Sequence, residues 1–397
     1  MNQIKLEELF QKIGIERAVG TEGNHKVLAI LEKQLSSMDY EVLSIPITCT
    51  IWNHDNSCIQ YAGKDIHIEV SPFSESFIGE GIVRTAGTMD ELLSLDCHNS
   101  VMVLKDHLVI KSLQPKNYPF YYPDEDKELI ELLESKEPAA IIVASGHHPM
   151  CGLDPFPLFE DGNFLIPSAY ISNRVWEDIS EDLFDRLVSV NIFSRKEVVE
   201  SKQLVATKKA KENNGKIVIC AHMDSKYNTP GALDNGIGVV TLLEMVEFIS
   251  TEKYDIDIVP FNGEEYYEAS GELAYLDYLR NNGDTVKMVI NIDSPCHIGS
   301  EIAVSTYNLE KPIQIQVESI VEEVDRVCLG NEWYSGDHAA FAFQMIPCIA
   351  ISSSDLFEGA LDCTHSVKDV ASTVDISLIN PAVQFVIKLI AYMESIL

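Results

Sequence analysis

The sequence predicts an α/β protein: a mostly parallel mixed sheet sandwiched by helices, with a smaller β-rich domain inserted into it. Two observations support this fold class. From about residue 189 to the end, short apolar runs typical of buried strands alternate with longer segments of helical periodicity. Between about residues 53 and 188, short strand-like runs, turns and aromatic residues are frequent instead. We therefore predict a discontinuous main domain, residues 1–52 and 189–397, and an inserted domain, residues 53–188.

Strands and helices of the main domain follow from this alternation. The predicted strands are KIVICA (216–221), DIVPFN (257–262), KMVINI (287–292) and PCIAIS (347–352). The predicted helices between them are GVVTLLEMVEFIS (238–250), GELAYLDYLRNN (271–282) and IQIQVESIVEEVDRV (313–327). Ligands of such sheets bind outside the carboxyl ends of the strands. The residues that follow each strand are therefore the candidates for a functional site.

The other segments are predicted in the same way. The start of the chain predicts an amphipathic helix, and YEVLSIPIT (40–48) predicts a strand. The apolar positions of that helix are Ile4, Leu6, Leu9, Phe10 and Ile13. Strand-like runs of the inserted domain are KDIHIEV (64–70), SVMVLKD (100–106), AAIIVAS (139–145) and IPSAYIS (166–172).

Composition excludes some classes of partner. The formal net charge is −33, from 29 basic and 62 acidic residues. Such a field repels phosphate backbones and acidic membrane surfaces, so we expect no nucleic acid and no membrane as partner. We also expect no spanning helix, because no window approaches 18 uninterrupted apolar residues. The start lacks the pattern of a secretory signal, and the nine cysteines form no C-x-x-C pair. We therefore expect a cytoplasmic protein with reduced thiols.

Acidic residues and histidines follow four of the predicted strands. His222 and Asp224 follow the first, Glu264 and Glu265 the second, Asp293 the third, and Asp362 and His365 the fourth, while Asp234 lies at the turn into a predicted helix. Each residue by itself has an ordinary structural explanation, such as a helix cap, a solvated turn or a surface histidine. The conjunction at four strand ends favours a shared site.

The residue types in this set suit zinc or a similar divalent metal. Two histidines and three carboxylates offer nitrogen and oxygen ligands. Two such ions about 3.5–4 Å apart share a bridging ligand, and Asp234 is the candidate because a tight turn fixes it. Three carboxylates against two divalent cations leave a positive balance, which favours a bound hydroxide over water. Glu264 and Glu265 are adjacent, so one can be a ligand and the other a general base. Asp224 can accept the other ring N–H of His222 and orient it.

These segments resemble a known family. They are AHMDS (221–225), PGALDNGIGVVTLLEM (230–245), FNGEEYYEASGELAYL (261–276), VINIDSP (289–295), SGDHAAF (335–341) and HSVKDVASTVD (365–375). Their order and content resemble the co-catalytic, two-zinc aminopeptidase family, which includes aminopeptidases Y and S and glutamate carboxypeptidase-like proteins. The resemblance implies the zinc exopeptidase, phosphorylase/hydrolase-like fold. Residues 53–188 resemble, more loosely, the protease-associated domain that is often inserted there.

The resemblance implies a role for each site residue. One zinc ion would be bound by His222 and Asp293, the other by Glu265 and His365, with Asp234 between them. Cobalt or manganese could replace zinc. Glu264 would be the general base that activates a metal-bridging hydroxide, and Asp224 would support His222. The substrates would be peptides with a free N-terminus, and the resemblance leaves a homo-oligomer open.

The sequence departs from the family near the expected substrate pocket. Gly336 stands within SGDH, where the family usually has Ser directly before Asp-His. This makes the register of Tyr334, a candidate hydrogen-bond donor to the oxyanion, uncertain by one residue. EASG replaces the more usual GS after the glutamate pair.

Other functions on the same site stay open from the sequence. A carboxypeptidase or an amidohydrolase could use the same two metals, although the motifs hold no arginine for a substrate carboxylate. An inactive, receptor-like binding protein would be expected to have lost ligands or the base. Glutaminyl cyclisation needs one metal only. The sequence favours a metal-dependent aminopeptidase over all three.

Overall fold

The computed structural model describes residues 3–396 and divides the chain into two units. The main unit contains the chain up to Cys49 together with the chain from Glu200 onwards, and the second unit is Thr50–Val199. The sequence placed the corresponding boundaries after residues 52 and 188.

The regular elements are as follows. The strands are β1 (Glu41–His54), β2 (Ser57–Tyr61), β3 (Lys64–Val70), β4 (Phe77–Ala86), β5 (Val101–Leu104), β6 (Ala140–Ser145), β7 (Ser168–Ser172), β8 (Leu187–Ile192), β9 (Ser194–Lys208), β10 (Lys216–His222), β11 (Asp255–Phe261), β12 (Val286–Ile292), β13 (Ile302–Tyr307), β14 (Val327–Leu329) and β15 (Cys348–Ser353). The helices are α1 (Gln3–Ile13), α2 (Glu22–Ser36), α3 (Met89–Ser94), α4 (Asp124–Lys136), α5 (Asn173–Leu183), α6 (Ile237–Val246), α7 (Ser270–Asn282), α8 (Lys311–Glu323), α9 (Ala339–Ala342) and α10 (Ile379–Ser395).

The main sheet has eight strands in the order β1-β9-β11-β10-β12-β15-β13-β14. The four central strands, β11, β10, β12 and β15, are parallel to one another. Strand β9 pairs antiparallel with β11, and β13 pairs antiparallel with β15. The sheet is therefore mixed with a parallel centre, as predicted. Because the central strands are parallel, their carboxyl ends lie at one edge.

Burial explains why these runs form central strands. Every residue of β10, β11 and β15 is buried, so their sequences are continuously apolar rather than alternating. Helix α6 contacts β10, β11 and β12, and it packs against α1 and α10. In α1, four of the five predicted apolar positions are buried, whereas Ile4 is 67% exposed.

One helical segment meets the length and hydropathy expected of a membrane span. Among residues 3–396 this is Ile376–Ser395, which includes α10 and has a mean hydropathy of 1.5. The sequence prediction had excluded any such segment. Half of it is buried inside the protein, where α10 packs against α6 and α8. A buried core helix of a soluble protein can have the same length and hydropathy, so this segment is weak evidence for a membrane span.

The second unit is a closed barrel with the strand order β2-β3-β7-β6-β5-β4-β8. Its apolar core includes residues from β5, β6 and α4, and the rings of Phe159 and Phe164 stack 4.3 Å apart in it. The four strand-like runs predicted from the sequence form β3, β5, β6 and β7. The unit is thus rich in strands; its assignment as a protease-associated domain stays a prediction.

Candidate metal centre

Two neighbouring strands deliver the first ligand pair. His222 is the last residue of β10, and Asp293 directly follows β12. The register pairs Cys220 with Asn291, so His222 and Asp293 lie side by side two residues further along the chain in each case. The Nε2 atom of His222 lies 3.6 Å from Oδ1 of Asp293. Parallel pairing alone therefore brings together two residues that are 71 positions apart in the chain.

Asp234 lies between the two halves of the centre. It belongs to a tight turn, Ala232–Gly236, that directly precedes α6. Its Oδ1 atom lies 3.0 Å from Nε2 of His222, and its Oδ2 atom lies 3.1 Å from Nε2 of His365. Each carboxylate oxygen thus faces a different histidine, which is the geometry that a bridging ligand needs.

Glu265 and His365 complete the second half. Glu265 follows β11, and its Oε1 atom lies 3.0 Å from Nε2 of His365. His365 lies in a loop, has a φ of 58° and is 30% exposed. Lys226 is the nearby cation, with Nζ 3.5 Å from Oε2 of Glu265. The second half is therefore more open than the first.

These five residues form two groups that share Asp234. His222, Asp234 and Asp293 are one group, and Asp234, Glu265 and His365 are the other; in each group the donor atoms lie within 4.8 Å of one another. Zinc bonds of about 2.0–2.2 Å in a tetrahedron place neighbouring donor atoms about 3.3–3.6 Å apart. The measured contacts of 3.0–3.6 Å are close to that spacing. The donor set fits two zinc ions.

The predicted orienting contact of Asp224 is not a hydrogen bond. The Nδ1 atom of His222 lies 3.7 Å from Oδ1 of Asp224, and both buried atoms lack a hydrogen-bond partner. The other oxygen of Asp224 accepts the backbone N–H of Glu265 at 3.1 Å. Asp224 is thus held by the loop after β11 that carries Glu265, and it lies beside the imidazole of His222 without a hydrogen bond to it.

Carboxylates dominate the electrostatics. Burial raises the pKa of Glu264 well above its ordinary value, and Glu265, Asp337 and Asp293 add to the rise. Burial opposes the charged form of His222, but the carboxylates around it raise its pKa well above the usual value. Burial would also raise the pKa of Asp234, yet the two histidines hold it low. Such a site attracts cations.

Tyr334 and His338, in or next to the segment SGDHAAF that resembles the family, make their contacts with residues outside the two ligand groups. The hydroxyl of Tyr334 donates to Glu332 at 3.0 Å, and its ring stacks on Phe343; its role at the oxyanion stays a prediction. His338 is buried and contacts the backbone oxygen of Trp333 at 2.9 Å.

Sequence reasoning missed three residues that hold the turn of Asp234. Asn235 donates to the backbone oxygen of Ile292 at 2.7 Å and accepts the N–H of Ser294 at 3.2 Å, so it fastens the turn to the end of β12. Arg17 and Asp369 contact the same loop. Asp369 lies inside a motif that the sequence singled out, but no pattern marked Arg17.

The sequence of the main unit is similar to that of known proteins. Residues 203–390 match the family model of Peptidase family M28. A vacuolar membrane protease of Laccaria bicolor is 34% identical over 76 residues, which are 19% of this chain and 7% of that protein. The match thus spans a small part of the length of that curated relative.

Solved structures show the same fold over nearly the whole chain. An aminopeptidase from Aneurinibacillus sp. strain AM-1 has a TM-score of 0.74 at 16% identity, covering 99% of this chain and 94% of that one. A zinc aminopeptidase from Bacillus subtilis has a TM-score of 0.71 at 16% identity, covering 98% and 94%. A Peptidase M28 precursor from Shewanella amazonensis SB2B has a TM-score of 0.70 at 16% identity, covering 98% and 92%.

Residues 203–390 therefore resemble Peptidase family M28, and the mixed α/β fold is like that of zinc aminopeptidases. At this level of identity the structural likeness establishes the fold. The reaction has to be argued from the residues of the site.

Proposed function

We propose that this protein is a metal-dependent aminopeptidase that removes N-terminal residues from peptides, with Glu264 as general base. The observation that carries the proposal is the placement of Asp234, whose two oxygens lie 3.0 and 3.1 Å from histidines of two different ligand groups. One shared carboxylate between two ligand groups is the arrangement of a two-metal hydrolase.

The five ligands would hold two zinc ions: His222, Asp234 and Asp293 one, and Asp234, Glu265 and His365 the other. When bound, such an ion pair supplies the Lewis acidity that activates water and polarises a peptide carbonyl. The number and kind of ions belong to the proposal.

Glu264 is suited to proton transfer. It lies in the loop after β11, three residues beyond Phe261, and its burial together with neighbouring carboxylates raises its pKa well above the ordinary value. A raised pKa makes the carboxylate a better base near neutral pH. Glu264 would accept the proton of the attacking water and deliver it to the leaving amine nitrogen.

The acid-rich surroundings favour a substrate that arrives with a positive charge. The free α-amino group of a peptide meets this requirement, because carboxylates stabilise an ammonium group. One observation favours a carboxypeptidase instead: the cation of Lys226, 3.5 Å from Oε2 of Glu265, could pair with a substrate carboxylate. Since Lys226 is already engaged with a ligand carboxylate, we rank the aminopeptidase first.

The compartment and the partners are part of the proposal. The cytoplasmic environment expected from the sequence stays a prediction. The exclusion of nucleic acid and membrane as partners rests on the net charge of −33 and stays a prediction. Assembly into a homo-oligomer is also untested.

The test combines metal content with cleavage of short peptides that are free, acetylated at the N-terminus or amidated at the C-terminus. We expect two zinc ions per chain and cleavage that acetylation abolishes and amidation leaves intact. Cleavage that amidation abolishes would establish the carboxypeptidase instead. A zinc-reconstituted protein that cleaves none of the peptides would refute the peptidase.

Glu264→Gln tests the base, and Glu268→Gln on the same loop is its control. We expect Glu264→Gln to lower kcat by about 10²–10⁴-fold with both ions retained, because the amide cannot accept the proton. Glu268 accepts from the hydroxyl of Tyr266 at 3.2 Å, so Glu268→Gln should change kcat little. Equal losses in the two variants would argue against Glu264 as base.

A further inference from the structure

Two buried residues, one near each end of the chain, hold the loop that joins the two halves of the metal centre. The loop runs from Met223 to Gly236, between His222 at the end of β10 and the turn that carries Asp234. The residues are Arg17, from the connection between α1 and α2, and Asp369, from the loop that carries His365. Both are fully buried, with 0% exposure. We call this pair the brace.

Arg17 fastens both ends of the loop. Its guanidinium donates to the backbone oxygen of Met223 at 2.7 Å, of Pro230 at 2.9 Å and of Gly231 at 2.9 Å. A fourth bond goes to the backbone oxygen of Ile15 at 3.0 Å. The planar fork of arginine can serve several carbonyls at once, which an ammonium group cannot reproduce. The loop is therefore pinned where it leaves His222 and again just before the turn of Asp234.

Close packing leaves this contact little freedom. Gly231 has a φ of 60°, and a Cβ there would lie 3.0 Å from a guanidinium nitrogen of Arg17 and 2.7 Å from Cβ of Ser225. The backbone N–H of Arg17 also donates to Oγ of Ser225 at 3.0 Å. The guanidinium therefore fits against a backbone that only glycine can form at this position.

Asp369 fastens the turn of Asp234 to the loop of His365. Its Oδ1 accepts the N–H of Leu233 at 2.6 Å, and its Oδ2 accepts the N–H of Asp234 at 3.0 Å. Its backbone oxygen accepts the N–H of Ala232 at 3.3 Å. Three successive amides of the turn thus end on one residue, four positions after His365. Asp369 thus links the turn of Asp234 to the loop of His365 through three hydrogen bonds.

We infer that Arg17 and Asp369 are positioning residues of the metal centre, Asp369 for the group Asp234–Glu265–His365 and Arg17 for both groups. The inference rests on the proposed function only in that the centre binds two metal ions. The first group takes His222 and Asp293 from paired strands, and Arg17 adds a hydrogen bond to Met223 next to His222. The second group takes His365 from a loop, and it therefore depends on the brace.

The experiment is a zinc titration in competition with a chromogenic chelator, on wild-type protein and on Asp369→Asn. Asparagine keeps the size of the side chain but offers one acceptor oxygen and turns its NH₂ towards an N–H donor. We expect one ion to bind about 10–100-fold more weakly, as is usual when a residue behind a ligand is lost. The affinity of the other ion should stay within about threefold.

Asp161→Asn is the matched control. Asp161 is also buried and also accepts two backbone amides, from Lys116 at 2.6 Å and from Asn163 at 2.7 Å, but it lies in the second unit. The substitution Asp161→Asn should lower the unfolding temperature without changing the affinity for zinc. The assignment of Asp369 would be overturned if Asp369→Asn weakened the binding of both ions equally, or weakened zinc binding no more than Asp161→Asn does. Wild-type protein that binds no zinc would overturn the inference as a whole.

Two further variants identify the affected ion and protect the test against misfolding. In a Glu265→Gln background, whose second group lacks a ligand, Asp369→Asn should leave the affinity of the remaining ion unchanged. Arg17→Lys keeps the positive charge but loses the planar guanidinium that donates to several carbonyls, so both ions should bind more weakly. Unchanged zinc affinity in folded Arg17→Lys would contradict the role of Arg17. Protein that binds two ions but cleaves no peptide would refute the proposed function and leave this inference intact.

Discussion

The two edges of the main sheet both bury charged side chains, but only one edge neutralises them. Near the amino ends of the parallel strands, Lys216 donates to Asp257 at 2.7 Å and to Asp284 at 3.1 Å. Asp257 also accepts from the hydroxyls of Tyr275 at 2.9 Å and Thr207 at 2.7 Å. Each oxygen of this buried carboxylate has a partner, as buried charges require.

At the carboxyl ends of the parallel strands, here called the carboxyl edge, several buried polar atoms lack such partners. Among residues 3–396, buried atoms there that lack a hydrogen-bond partner include Nδ1 of His222, Oδ1 of Asp224, Oε2 of Glu272 and both carboxylate oxygens of Asp337. Burial raises the pKa of Asp337 to about 8 and that of Glu272 well above its usual value. The comparison teaches that the amino edge is built for stability, whereas the carboxyl edge is built to receive cations.

The largest effect expected from this contrast concerns Asp234→Asn. Because Asp234 gives one oxygen to each ligand group, we expect the affinity for both zinc ions to fall by more than about 100-fold. This is more than the loss of affinity that is usual when a residue that supports a metal ligand is removed. Equilibrium dialysis measures this. The free energy of unfolding without zinc should change less than in Lys216→Met. A protein that retains both ions at full affinity would refute the bridging role.

Lys216→Met should have the largest effect on stability. It leaves Asp257 as an uncompensated charge inside the protein, which costs about 3–5 kcal/mol of the free energy of unfolding. Urea denaturation measures the loss, and zinc affinity should not change. A loss below about 1 kcal/mol would show that the hydroxyls of Tyr275 and Thr207 suffice for this carboxylate.

Zinc itself should stabilise the carboxyl edge. At a free concentration about 100 times Kd, each ion adds about 2.7 kcal/mol to the free energy of unfolding. The gain should shrink as the pH falls, because the raised pKa of His222 keeps its ring protonated to a higher pH and the proton competes with zinc. Unfolding temperatures with zinc and with EDTA, from about pH 5.5 to about pH 8.5, test this. A constant difference would mean that the histidines do not bind the metal.

The smallest effect is expected for Lys209→Met, a control at the amino edge. Lys209 donates to Asp255 at 2.9 Å, but its side chain is 53% exposed. Exposed ion pairs contribute at most about 1 kcal/mol. A loss in Lys209→Met as large as in Lys216→Met would show that burial is not what separates the two pairs.

The sequence predicted the centre well where chemistry and position along a strand coincide. His222 ends β10, Asp293 directly follows β12, and Glu265 lies four residues beyond the end of β11. An apolar run followed by a ligand-type residue marks such positions. His365 was found for the same reason, although its loop lies beyond the end of β15. The predicted orienting hydrogen bond of Asp224 is not formed, because its Oδ1 atom lies 3.7 Å from Nδ1 of His222.

The sequence by itself determined the strands, the ligands and the order in which they occur, because burial selects continuous apolar runs and metal chemistry selects residue types. Only the tertiary structure decided which oxygen of Asp234 faces which histidine, and that Arg17 and Asp369 hold its turn. Apart from the contact between Asp234 and His222, those contacts join residues more than 130 positions apart, such as Leu233 and Asp369 with a separation of 136. No local pattern records them, since a backbone carbonyl or amide places no constraint on the sequence that supplies it.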